Sequence, residues 1–229
     1  MSLKSFLIGL ILACAAAAAA SAQPAPPGPA ADYKIAEDVT QKSPDGSIVI
    51  EQYLKDGDDP LWQFWIRRSD TLTLLNAEPS DYPAGFRFTN DLQWLVRMQK
   101  TGSGESTLYL YRSSPQGFVE ATKKPLGDLA WAFLKTRPDW KKVTMKPDFH
   151  FSVNLMKGTE ESYRWLGVDW PDNRYLVISL SGEVEPTHKH RQIQSLNDWR
   201  CRYDLKNGTF DVPVVFSKNN AGAVVPEKF

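Results

Sequence analysis

The residues best spaced to do chemistry are His188 and His190, in the stretch THKHR. In an extended segment, side chains two apart project to one side, as a pair of metal ligands requires. Glu183, Glu185 or His150 would complete a ligand set, and a metal held there would activate water for hydrolysis. No spacing fixes that third ligand. The surrounding stretch Ser181–Asp198 is long and polar, so a solvated turn is the favoured reading. Asp56, Asp58 and Asp59 in KDGDDP suggest a calcium loop, but counting from Asp56 the fifth position is Pro60 and the twelfth is Arg67, where an EF-hand needs an oxygen ligand and a Glu. Cys201 falls on the apolar side of an alternating segment and reads as a small buried hydrophobe rather than a nucleophile. The chain has no G-x-S-x-G, P-loop, H-E-x-x-H or C-x-x-C motif. Trp62, Trp65, Trp94, Tyr109, Tyr111 and Trp165 recur at strand period. Most are expected in the core, with an exposed ring available to a sugar or peptide where both faces are aromatic. The reading therefore assigns no catalytic, cofactor-binding or metal-binding residue, and no cofactor.

These residues must be positioned by the part of the chain that folds. Met1–Ala22 has the pattern of a secretion signal: Lys4, the apolar run Phe6–Ala13, and Ala20-Ser21-Ala22 before Gln23. Ile11-Leu12-Ala13-Cys14 offers a second reading, a lipobox that would lipidate Cys14. Residues 23–31, QPAPPGPAA, form a Pro/Ala-rich tether with nothing to bury. Residues 32–229 are expected to make a single β-rich domain. Without Lys4 the 27 basic residues become 26 against 27 acidic, a net charge of −1. That balance gives no support for nucleic-acid binding. No transmembrane span is expected in the mature chain. If Cys14 leaves with the signal, Cys201 is the remaining cysteine and no internal disulfide is available.

The clearest local structure is Trp199–Phe216. Trp199, Cys201, Tyr203 and Leu205 alternate with polar residues, Asn207-Gly208 marks a turn, and Phe210, Val212, Val214 and Phe216 alternate again. A two-residue turn would set Leu205 against Phe210, Tyr203 against Val212 and Cys201 against Val214. Pro213 has no N–H to give, so a bulge or the end of pairing is expected there. Three units share an order of turn, strand, polar loop, strand: they start at Ser43-Pro44-Asp45-Gly46, at Thr89-Asn90-Asp91 and at Trp170-Pro171-Asp172-Asn173. Ile48, Ile50 and Leu54 alternate in the first unit, and Leu92, Trp94, Val96 and Met98 in the second. Between the second and third units, Leu126, Leu129, Ala130, Phe133 and Leu134 have helical spacing. They predict a helix near 126–136 with Leu129, Phe133 and Leu134 buried. Phe149, Phe151, Val153 and Leu155 then alternate as a strand, and Ser162–Asp169 suggests another.

The three turns carry a resemblance to secreted bacterial proteins with Pro-Asp-Gly-type β repeats, as in the periplasmic propeller of the Tol system. Ser43-Pro44-Asp45-Gly46 is the fullest match, and Thr89-Asn90-Asp91-Leu92 and Trp170-Pro171-Asp172-Asn173 are degenerate ones. The resemblance implies that such a turn starts a blade strand. The motif is structural in that family and carries no catalytic residue across. The fold class expected is mainly β: antiparallel meander or propeller-like units, an open sheet stack or incomplete propeller, with one inserted α-helix. The expected function is a non-catalytic binding or interaction domain of the bacterial envelope, its partner an unidentified protein or polymer. The alternatives are a metal-assisted hydrolase using His188 and His190, and an envelope assembly factor lipid-anchored through Cys14.

Overall fold

Alternating apolar residues build three antiparallel sheets. They are seen in a computed structural model that describes residues 28–142, 149–156, 172–184 and 193–224. The first sheet holds β1 (Lys34–Ile35), β2 (Gln41–Lys42), β3 (Ile48–Lys55), β4 (Leu61–Arg68) and β5 (Thr71–Leu74). The second runs in chain order through β6 (Ala84–Phe88), β7 (Trp94–Gly102), β8 (Glu105–Ser114) and β9 (Gly117–Glu120). The third does the same through β10 (Phe149–Leu155), β11 (Tyr175–Val184), β12 (Ile193–Asp204) and β13 (Thr209–Asp211). The protein is thus mainly β, in successive antiparallel meanders. Among the described residues no helix is long and apolar enough to cross a membrane.

The turn motifs do not open their sheets: they immediately precede β3, β7 and β11, and the first two have the same construction. Ser43 Oγ donates to Asp45 Oδ1 at 2.7 Å and accepts the Ile48 N–H at 3.0 Å. Thr89 Oγ1 donates to Asp91 Oδ1 at 2.7 Å and accepts the Trp94 N–H at 3.0 Å. Asp45 and Asp91 each accept a backbone N–H two residues on, from Ser47 and Gln93, both at 3.0 Å. Gly46 has φ 74° and Leu92, at the equivalent position, φ 55°, so the second turn forces a leucine into the left-handed region that glycine occupies freely. In the third turn Asp172 accepts the Arg174 N–H at 2.6 Å. Trp170 and Pro171 lie outside the described residues.

Between the sheets are two cores. Ile48, Ile50, Phe64 and Ile66 of the first sheet meet Phe86, Phe88, Leu95 and Tyr111 of the second. Val96, Leu108 and Leu110, on the opposite face of the second sheet, meet Val153, Ile178, Leu180, Trp199 and Cys201 of the third. Strands β7 and β8 are therefore covered on both faces.

Sheet edges are finished by polar side chains that imitate a strand. Gln52 donates to the Ala84 carbonyl at 2.8 Å and accepts its N–H at 2.9 Å, which caps the free edge of β6 from the first sheet. Ser106 Oγ bonds both the carbonyl and the N–H of Val153, at 3.0 and 3.1 Å, and does the same for β10. Such capping satisfies main-chain groups that an open edge would leave to another chain.

Two expectations need correction. Helix α1 (Leu126–Lys135) forms where expected, but its buried face is Leu126, Gly127, Ala130, Trp131 and Leu134. Leu134 is buried as expected. Leu129 is only half-buried, and so is Phe133, which stacks on Phe210 with ring centroids 5.4 Å apart. The helix is turned because Gly127 presses on β8: a Cβ there would stand 2.3 Å from Thr107 Oγ1 and 3.0 Å from the Leu108 nitrogen.

The final hairpin has Trp199, Cys201, Tyr203 and Leu205 all buried, as expected. Its register is shifted by two, with Tyr203 opposite Phe210 and Asp204 opposite Thr209. The cause is Asp204, whose carboxylate accepts the N–H groups of Lys206 and Asn207 at 2.9 and 3.1 Å, while its carbonyl accepts the Gly208 N–H at 2.8 Å. This widens the turn to four residues. Pairing stops before Pro213, and Val214, 87% exposed, opens a short 3₁₀ turn instead of facing Cys201. In place of the lost strand, Asn220 of helix α2 (Ser217–Gly222) bonds both the N–H and the carbonyl of Arg200, each at 2.8 Å.

Candidate functional site

Strand β7 reads WLVRMQKTG, and its period of two sends Trp94, Val96 and Met98 toward the third sheet. Leu95, Arg97 and Gln99 consequently point toward the first sheet, with Leu95 in the apolar core between the two sheets. Arg97 is only 5% exposed. Its guanidinium carbon stands 3.8 Å from the ring centroid of Tyr109, its cross-strand partner, and 5.2 Å from that of Phe64. Its Nε is buried without a hydrogen-bond partner, and among the described residues Arg97 makes no hydrogen bond and no ion pair.

Arg97 forms part of the floor of a cleft of about 370 Å3 between the β5–β6 connection and the second sheet. Gln99, 3% exposed, shares that floor. Its amide donates to the carbonyls of Tyr82 and Lys100, both at 3.0 Å, and its Oε1 is buried without a partner among the described residues. Tyr82 and Tyr109 are half-buried walls. Lys100, over the Tyr82 ring at 4.6 Å, stands at the exposed rim with Glu78, Asp81 and Glu120. Tyr111 packs beneath: burial pushes its hydroxyl well up, against a downward pull from Arg97 and with an upward push from Glu120.

The cleft wall is built rigidly. Asn76 accepts the Phe64 N–H at 2.7 Å and donates to the Glu78 carbonyl at 2.6 Å. Trp62 and Ser80 exchange backbone hydrogen bonds at 2.7 and 2.9 Å. A preformed cleft with a cationic floor and aromatic walls can hold an anionic group without first ordering itself.

A second cleft of about 350 Å3 opens between the second and third sheets, lined by Glu105, Ser106, His150, Ser152 and Glu183 among others. His150 and Glu183, both singled out in the sequence, are register partners on β10 and β11. His150 Nδ1 is 3.5 Å from Glu105 Oε1. Ser106 Oγ is 2.9 Å from Ser152 Oγ and is otherwise committed to the Val153 backbone, so it is not poised as a nucleophile. No group of three or more His, Cys, Asp or Glu suited to a metal occurs among the described residues. His188, His190 and Glu185 lie outside those residues, as do Trp165, the segment Ser162–Asp169 and Cys14.

The other candidates resolve as follows. Cys201 is 0% exposed, and burial pushes its thiol far above the usual range, so it does not ionise to a nucleophile. Asp56, Asp58 and Asp59 are exposed in the β3–β4 loop. Trp65 and Tyr111 are buried, and Trp62 and Trp94 half-buried. Arg97, Gln99 and Tyr82 were not singled out in the sequence. The usable signal was a charged residue inside a strand that carries apolar residues on both faces.

Comparison with known proteins adds no family to this geometry: no protein-family model matches the chain, and no curated protein matches it either.

Proposed function

We propose that the protein is an exported, non-catalytic binding domain of the bacterial envelope, and that it holds a small ligand, or one residue of a protein or polymer partner, in the Arg97 cleft. The observation that carries this reading is Arg97, 5% exposed, with aromatic contacts and a buried Nε that has no acceptor among the described residues. Burying a charge without a hydrogen-bonded partner costs several kcal/mol. Contacts with the rings of Tyr109, Phe64 and Tyr111 return about 1–2 kcal/mol each and offset part of that cost. A ligand that supplies the missing acceptor accounts for the residue. Export is supported by the pattern of Met1–Ala22 and the Pro/Ala-rich stretch after it.

The test is a thermal-shift screen of organic acids, sugars and short peptides against wild type and Arg97→Gln. A binder stabilises the state that binds it. The expected result is at least one ligand that raises the midpoint of wild type, leaves Arg97→Gln unmoved, and is recovered chemically unchanged. A ligand that is consumed, or a screen in which no class shifts the midpoint, overturns the reading.

A metal-assisted hydrolase is the second reading. Its support is the meeting of His150, Glu105 and Glu183 at one cleft, with Glu183 two residues before the 185–192 segment that carries His188 and His190. Metal analysis of the purified protein separates it from the first: stoichiometric zinc favours hydrolysis. The intact mass of the exported chain tests lipid anchoring, since a start at Gln23 excludes a lipid on Cys14.

A further inference from the structure

We propose that the Arg97 cleft takes a small zwitterion, a free α-amino acid or a dipeptide, with its carboxylate on Arg97 and its ammonium at Gln99 and the acidic rim. This inference rests on the binding reading above and gives it a ligand class. Three observations carry it.

The first is the donor. Arg97 presents a planar fork of N–H groups, its guanidinium carbon lies over the Tyr109 ring, and the fork has no acceptor among the described residues. A planar carboxylate matches that fork with two parallel hydrogen bonds. The second is an acceptor on the same floor. Gln99 Oε1 is buried without a partner among the described residues, and its amide nitrogen is already committed to two carbonyls, so the side chain is held in place with its oxygen unsatisfied beside the cleft. A ligand N–H satisfies it. Arg97 and Gln99 are two apart on one strand and hence on one face, which offers a donor and an acceptor side by side.

The third is charge. The cleft carries Arg97 and Lys100 against Glu78, Asp81 and Glu120, a formal net charge of −1 from two cations and three carboxylates. The positive charge of Arg97 is at the floor, and the carboxylates are exposed at the rim. A dianion such as phosphate would gain at the floor and lose at the rim. A simple carboxylate would leave the rim unmatched. A zwitterion answers both. The volume, about 370 Å3, is at the small end of the range for ligand sites, roughly 300–1,000 Å3, and suits one or two residues.

The experiment is isothermal titration calorimetry on the full chain. The probes are L-alanine, L-phenylalanine and alanyl-alanine, with N-acetyl-L-alanine, L-alaninamide and inorganic phosphate as controls. At least one zwitterion is expected to bind. Comparing the two free amino acids with alanyl-alanine tells an amino acid from a dipeptide source. N-acetylation or amidation removes one charged hydrogen bond and should weaken binding by about tenfold or more. Phosphate should give no heat. Arg97→Gln should abolish binding. Glu120→Gln, an exposed change that leaves the core intact, should weaken the zwitterions severalfold and leave N-acetyl-L-alanine unchanged. If N-acetyl-L-alanine binds as tightly as L-alanine, or phosphate alone binds, the inference fails while the binding reading survives. If no zwitterion binds a chain shown to be folded by its thermal transition, the inference fails as well. The broader screen then decides the binding reading separately.

Discussion

Arg97 stacks on Tyr109 across the β7–β8 pair, with its guanidinium carbon 3.8 Å from the ring centroid. It is the closest of the three ring contacts Arg97 makes among the described residues. On the binding proposal, a cation buried in this way serves a ligand at a cost to stability.

That cost is measurable. Replacing a buried charge that lacks a partner by an apolar side chain of similar length is often neutral or stabilising. Arg97→Met should therefore raise the unfolding free energy in urea by about 1 kcal/mol, or leave it unchanged. A loss above about 2 kcal/mol would make Arg97 a structural wedge.

The docking of α1 gives a prediction against propensity. Glycine to alanine in a helix interior normally gains about 1 kcal/mol. At Gly127 the new methyl would collide with Thr107 Oγ1 and the Leu108 backbone. Gly127→Ala should cost about 1–3 kcal/mol, in the range for overpacking. Chemical denaturation checks it, and a stabilised variant would mean that α1 does not press on β8.

Much of this fold is legible in the sequence. Alternation marks β3, β7, β10 and β12, and an Asp-bearing turn precedes β3, β7 and β11. Other features were not legible, for physical reasons. The register of the last hairpin follows from the Asp204 side chain claiming two backbone N–H groups, which a turn dipeptide does not reveal. The buried face of α1 follows from a close approach at Gly127, which spacing alone rotates by one residue. Arg97 was hidden because Leu92, Trp94, Val96 and Met98 define one apolar face, and on the other face Leu95 alone is apolar beside Arg97 and Gln99. Only tertiary stacking shows that both faces of β7 are covered.

The outer face of the first sheet makes a pH prediction. Arg67 Nε and Nη2 bond Glu51 at 2.6 and 2.9 Å, and the Tyr53 hydroxyl donates to it at 2.9 Å. Burial raises the Glu51 pKa, but the bonds from Arg67 and Tyr53 outweigh it, so the folded-state value falls below the ordinary 4.5. A depressed carboxylate stabilises the fold above its unfolded pKa, and that contribution is lost as pH falls through the folded value. Glu51→Gln should cost about 1–3 kcal/mol at neutral pH, the range for hydrogen bonds to a charged group. The difference from wild type should shrink below pH 4.5. An undiminished difference at low pH would show that packing, not charge, is at stake.

Cys201 supplies a simple check of the third sheet. With the side chain fully buried and the thiol held protonated, iodoacetamide should label it only after denaturant unfolds the chain. Rapid labelling of the native protein would place β12 at the surface.

The central claim is that Arg97 is the floor of a ligand site, and the most direct measurement is the NMR signal of its own Nε–H. That cross-peak can be assigned by its loss in Arg97→Gln. Titration with alanyl-alanine, or with L-alanine where calorimetry shows the free amino acid to be the ligand, should move it and saturate, and L-alaninamide should leave it in place. A cross-peak that stays fixed while that zwitterion binds the protein elsewhere, or moves equally with L-alaninamide, would contradict the account.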